Sequence, residues 1–197
     1  RGQLTAKAQL KGTLKNPQIS AQLHWQHGQA ELTNFGLLLH QIDLTLTSTQ
    51  PNHFKWQGQL KSGSGNLSIS GQTQLHPWNL YTNLSLKGNQ VDILNLPGMQ
   101  AQANIQLHTT LNPKHQHLSG QMLLVGGALD LDRQFAKLSQ PDDLVIVDNT
   151  GMHQQTEKAS NWSYQIQLSF KKPLPLKASL NLQSQLDGQL LLIKHPQ

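Results

Sequence analysis

The sequence predicts an all-β protein built on one elongated, curved, antiparallel sheet. Two observations carry that prediction. Apolar and polar residues alternate along almost the whole chain, as in Leu4-Ala6-Ala8-Leu10, Ile19-Ala21-Leu23-Trp25 and Ala101-Ala103-Ile105-Leu107. Successive side chains of a strand point to opposite faces, so this period makes a sheet with one apolar and one polar face. In addition, no long segment has the spacing of a helix that could cover the apolar face.

The elements follow in order. Lys15-Asn16-Pro17 breaks the first two strands, and Gln26-His27-Gly28-Gln29 predicts a turn between the strand ending at Trp25 and Ala30-Glu31-Leu32. The strand Ile42-Leu44-Leu46 ends at Thr49-Gln50-Pro51-Asn52. Ser62-Gly63-Ser64-Gly65 predicts a hairpin joining 54–61 to 67–75, since glycine supplies the positive φ that tight turns need. Lys87-Gly88-Asn89, Asn95-Leu96-Pro97-Gly98 and Asn112-Pro113-Lys114 predict further turns, and strands so spaced form a meander. The rhythm lapses over 133–143 and 149–161, which are expected as irregular loops. It returns with Trp162-Tyr164-Ile166-Leu168-Phe170 and Leu174-Leu176-Ala178-Leu180-Leu182, and a terminal strand reaching Ile193 is entered through Gly188. Residues 9–23 resemble 59–75, as repeated strand–turn–strand units would.

The 197 residues are expected to form a single β-rich domain, 1–197, long enough to bury a core. Charged residues are only 13% against 36% hydrophobic, and Gln, Asn, Ser and Thr carry the polar faces, a composition unlike that of disordered chains. The formal charge is +5, yet Arg1 and Arg133 are the only arginines, so the bidentate forks of nucleic-acid binding are largely missing. Weak attraction to anionic lipid head groups fits the charge as well. There is no cysteine and no apolar run of membrane-spanning length. The pattern is already under way at Arg1, which reads as a fragment of a longer chain.

Chemistry is sparse. His24 and His27 flank Trp25, and His115 and His117 follow Pro113, but no HExxH, cysteine or nearby carboxylate completes a metal site. Asp130, Asp132, Asp142, Asp143 and Asp148 cluster in sequence, and turn capping accounts for the pair after Pro141. No GxSxG and no phosphate-cradling loop occurs. No catalytic residue, metal or cofactor is expected. Trp25, Trp56, Trp78 and Trp162 admit a carbohydrate-stacking reading, although strand aromatics more often fill a core.

The apolar face must be covered. About a dozen strands at about 4.8 Å spacing span roughly 60 Å, and the apolar area of such a face, on the order of thousands of Å², is far beyond the roughly 300–600 Å² patch a soluble monomer leaves open. Two covers are open on pattern alone. The sheet folds against itself as a sandwich or barrel, or it forms a trough filled by acyl chains. The residues expected to line such a trough are Leu23, Trp25, Leu44, Leu46, Trp56, Leu60, Leu67, Ile69, Leu84, Leu86, Ile105 and Leu107. The terminal segment Leu190-Leu191-Leu192-Ile193 either closes the sheet or offers a nearly uncharged edge to a partner strand.

Residues 120–151, GQMLLVGGALDLDRQFAKLSQPDDLVIVDNTG, resemble the C-terminal conserved region of the TamB family, with Gly120 to Asp132 as its first strand and Pro141 to Asp148 as its acidic–apolar element. The segments 12–46 and 62–75 resemble the family's glycine-punctuated strand units. Ser20-Ala21 and Lys171-Lys172-Pro173-Leu174-Pro175 depart from its pattern. The resemblance implies a trough-shaped (β-taco) sheet in the periplasm of a Gram-negative bacterium, belonging to an inner-membrane-anchored protein. It implies passage of phospholipid acyl chains, a TamA-like outer-membrane partner of the barrel-assembly type, and no catalysis. A sandwich scaffold assisting outer-membrane protein assembly is the alternative.

Overall fold

The computed structural model describes residues 1–77, 79–130, 161–178 and 182–195. The alternating segments form one open, curved sheet. Its strands are β1 (Gln3–Gly12), β2 (Pro17–Leu32), β3 (Leu37–Gln50), β4 (His53–Ser62), β5 (Gly65–His76), β6 (Asn79–Leu96), β7 (Met99–Leu111), β8 (Gln116–Asp130), β9 (Trp162–Phe170), β10 (Leu174–Ala178), β11 (Leu182–Leu186) and β12 (Gln189–Lys194). The one helical element among the described residues is a 3-10 turn at Thr33–Phe35. From β1 to β8 each strand pairs antiparallel with the next, as the alternation and turn signals predict.

The purely antiparallel expectation is corrected beyond β8. Both β9 and β10 pair with β8 in parallel, β9 along its first half and β10 at its end. Parallel neighbours need a crossover of a dozen or more residues, and the chain between Asp130 and Trp162 supplies that length. β12 then pairs antiparallel with β9, and β11 with β10. The predicted irregular loops at 133–143 and 149–161 lie outside the described residues, apart from Asn161. So do Trp78 and the aspartates at 132, 142, 143 and 148.

Two predicted turns are not turns. β2 runs straight through Gln26–Gln29 and β6 straight through Lys87–Asn89. Each carries a bulge instead: the register slips between Trp25 and Gly28 and between Gly88 and Val91, with His27 and Gln90 at positive φ of 50°. Gln41 in β3 does the same at 51°. A bulge residue needs the left-handed conformation that turns also use, so polar residues beside glycine give the same sequence signal for both.

The repeat reaches further than 9–23 and 59–75. Ile19-Ser20-Ala21-Gln22, Ile69-Ser70-Gly71-Gln72 and Leu118-Ser119-Gly120-Gln121 recur in β2, β5 and β8. Gln41-Ile42-Asp43 and Gln90-Val91-Asp92 recur at the bulges of β3 and β6. The turns repeat as well: the Asn52 carbonyl accepts from Leu75 N at 2.8 Å, and the Gly98 carbonyl accepts from Asp130 N at 2.6 Å. Both turn residues have positive φ.

Among the described residues the strands form one open, curved sheet that does not close on itself. The main contacts among the described residues run between neighbouring strands, apart from those that β3, β4 and the 3-10 turn make with β6. The exception is local. β3 and β6 outrun the β4–β5 hairpin tip and approach one another beyond it, where Ser62 Oγ donates to the Asp92 carbonyl at 2.7 Å. Ser62 and Gly65 project from the apolar side, and a Cβ on Gly65 would collide with the Gln90 carbonyl, so the sheet bends toward its apolar face here. The densest core lies at this end, in Val91, Ala101, Ala103, Ile105 and Leu124.

Candidate functional site

Directly paired residues share a face, so the register traces rows across the sheet. One row is Leu4–Trp25–Leu44–Gly58–Ile69–Leu86–Leu107–Gly120–Ile166–Leu192. It crosses ten strands, roughly 43 Å at about 4.8 Å per step, without one polar side chain. Beside it runs Ala6–Leu23–Leu46–Trp56–Gly71–Leu84–Thr109–Leu118–Tyr164–Lys194. On its other side is Leu60–Leu67–Gly88–Ile105–Met122–Leu168–Leu190.

These three rows contain all twelve residues expected to line an apolar surface. Trp25, Leu44, Ile69, Leu86 and Leu107 stand in the first, Leu23, Leu46, Trp56 and Leu84 in the second, and Leu60, Leu67 and Ile105 in the third. Leu60 and Ile105 are buried, and the others are half-buried. The reverse face is polar: Thr5–His24–Thr45–Gln57–Ser70–Ser85–His108–Ser119–Gln165 occupies one row across nine strands.

Glycine is the feature that sequence reasoning missed. Gly58, Gly71, Gly88 and Gly120 all fall on the apolar face inside strands. A Cβ on Gly88 would lie 2.9 Å from both Ile105 Cγ1 and Leu67 Cδ1, so the two flanking side chains close over the glycine. A sheet bending toward a face crowds that face, and omitting side chains there relieves the crowding. The signal in sequence was glycine in phase with the apolar residues.

The four C-terminal residues split between faces. Leu190 and Leu192 continue the apolar rows, whereas Leu191 and Ile193 stand opposite Gln167 and Gln165 and end the polar ones. All four are exposed, Leu191 at 57%. Among the described residues β12 pairs only with β9, so it is an apolar edge on both faces. The sheet's other terminal strands are β11 and β1, the latter exposed throughout and carrying Lys7 and Lys11.

Polar pairs serve the fold. His24 Nε2 meets Asp43 Oδ1 at 2.9 Å, and Gln102 Nε2 donates to Asp92 Oδ1 at 2.8 Å, so each bulge aspartate is tied to a neighbouring strand. His117 Nδ1 lies 2.8 Å from Ser163 Oγ, but Ser163 is 4% exposed and no carboxylate joins the pair among the described residues. A nucleophile needs a reachable oxygen and an oriented base. No group of three metal-ligating side chains occurs among the described residues, and His115 lies in the turn before β8 rather than on the strand with His117. No helix among the described residues is long and apolar enough to cross a membrane.

No family model, curated protein or solved structure matches the chain. The surface therefore has to be read from its own chemistry.

Proposed function

We propose that this chain is a non-enzymatic conduit or shield for phospholipid acyl chains, within a periplasmic, inner-membrane-anchored protein of the TamB type that supports outer-membrane biogenesis. One observation carries the reading: the apolar row from Leu4 to Leu192, continuous over ten strands of an open, curved sheet. An apolar surface of that extent needs a cover. Acyl chains are a fluid cover matched to it: the stripe is longer than half of the roughly 30 Å hydrocarbon core of a bilayer. The curved sheet then acts as the wall of a trough, apolar within and wet outside. The resemblance of residues 120–151 to the TamB family supports the same reading.

Gentle purification followed by native mass spectrometry tests it. Co-purified phospholipid is expected. Lipid-free protein whose apolar rows are sealed by its own chain would overturn the proposal.

A second reading has its own observation. The two-faced apolar strand β12 fits capture by a barrel-assembly-type, TamA-like outer-membrane protein, by strand addition at an open edge. That role, assisting outer-membrane protein assembly, needs no sandwich.

A further inference from the structure

The apolar face carries a polar chain of three side chains beside the stripe. Trp56 Nε1 donates to Thr73 Oγ1 at 2.8 Å, and Thr73 Oγ1 lies 2.8 Å from Thr82 Oγ1. Thr73 and Thr82 are direct cross-strand partners on β5 and β6, in the row next to Trp56–Gly71–Leu84. Thr73 is only 7% exposed, whereas Thr82 is half-buried.

The protons can be counted. An indole nitrogen only donates, and each hydroxyl has one proton. The trio therefore holds three donor protons and makes two bonds, leaving one proton over. If Thr82 donated to Thr73, the leftover proton would belong to the more deeply buried hydroxyl, and an unmet buried donor is penalised. The favoured order runs Trp56 to Thr73 to Thr82, with the free proton on Thr82. The chain ends in a donor at the margin of an apolar surface, seeking an acceptor.

We propose that Thr82 donates a hydrogen bond to an ester carbonyl of a diacyl glycerolipid whose acyl chains lie along the apolar rows. The proposal rests on the conduit reading and narrows its cargo. An ester carbonyl is a pure acceptor attached directly to an acyl chain, so chain and oxygen reach the stripe and its margin together. A hydrocarbon or an alkyl ether lacks that carbonyl.

The test compares two probes with the full chain: a diacyl phosphatidylglycerol and its dialkyl-ether counterpart of equal chain length and identical head group. Wild-type protein is expected to bind the diester about threefold to tenfold more tightly, the range of one net hydrogen bond. Thr82→Val should bind both probes equally, at the wild-type ether affinity. Thr82→Ser, which keeps the donor, should restore the preference and shows that the site is still folded. Equal wild-type binding of the two probes overturns the proposal and leaves the conduit reading standing. A preference that survives in Thr82→Val also overturns it. Binding of neither probe overturns both.

Discussion

Trp56 and Gly71 face one another directly across β4 and β5, and Leu84 leans over the glycine from the other side. The Leu84 Cδ2 atom lies 2.7 Å from where a Gly71 Cβ would stand, and the Asn83 carbonyl is closer still. The absent side chain is what lets the Leu84 side chain and the β6 backbone come so close to β5. Gly71→Ala is therefore expected to destabilise the sheet by about 1–3 kcal/mol, the usual penalty of overpacking. Denaturant unfolding measures it. Gly126→Ala is the control, since only the far end of Gln102 comes near its Cβ position, at 3.8 Å.

That relationship marks where sequence reasoning stopped. The period of two placed Leu23, Ile69 and Leu107 on a common face, because alternation fixes side-chain direction whatever the pairing partner. It carries no information about pairing sense, so the parallel contacts of β8 with β9 and β10 were illegible. It also could not separate a bulge from a turn at His27-Gly28 or at Gly88-Asn89-Gln90. There the paired Gln41-Ile42-Asp43 and Gln90-Val91-Asp92 motifs were the usable signal, because a turn would not preserve the buried residue after each glutamine. That the twelve residues share one face was legible, but the glycines and the Trp56–Thr73–Thr82 chain on that face were not.

Charge placed on the two faces should separate packing from lipid contact. Ile105 belongs to the densest core and is 7% exposed, so Ile105→Asp is expected to unfold the protein rather than spare the fold. Leu86 is half-buried in the central row. Leu86→Asp should keep the fold yet weaken acyl-chain binding by roughly a hundredfold, since an unpaired charge beside hydrocarbon costs several kcal/mol. Gln106→Asp, on the polar face, should change neither. Thermal melts beside lipid-transfer assays check all three, and equal tolerance at 86 and 106 would refute a lipid-lined row.

Asn52 is the second place where one residue holds several strands. Its Nδ2 donates to the Pro17 carbonyl at 2.7 Å, and its Oδ1 accepts from Ile19 N at 2.7 Å. Its own N–H donates to the Ile19 carbonyl at 2.8 Å, and its φ is 65°. Asn52→Ala should lose roughly 2–4 kcal/mol, from two hydrogen bonds and a strained backbone. Asn52→Gly relaxes the backbone but not the missing bonds, so it should fall between wild type and alanine. Equilibrium unfolding of the three proteins gives the order. A glycine variant as stable as wild type would mean that the side-chain bonds contribute nothing.

The edge at β12 supplies the last prediction. Leu191 and Ile193 interrupt polar rows that otherwise run unbroken from β3 and β1, and both stand in a strand with one neighbour among the described residues. Such an edge presents unpaired backbone donors and acceptors together with apolar side chains, and its charge is confined to Lys194. Replacing Leu191 and Ile193 by proline removes two amide donors and resists strand pairing. The double variant is expected to lose capture of a barrel-assembly-type outer-membrane partner while still binding lipid along β2 to β8, because those rows are built on strands that do not touch β12. Pull-down of the partner by wild-type and double-proline chains, with bound lipid measured on both, decides it. Undiminished capture would place the docking surface elsewhere, and loss of lipid together with capture would show that β12 holds the trough rather than the partner.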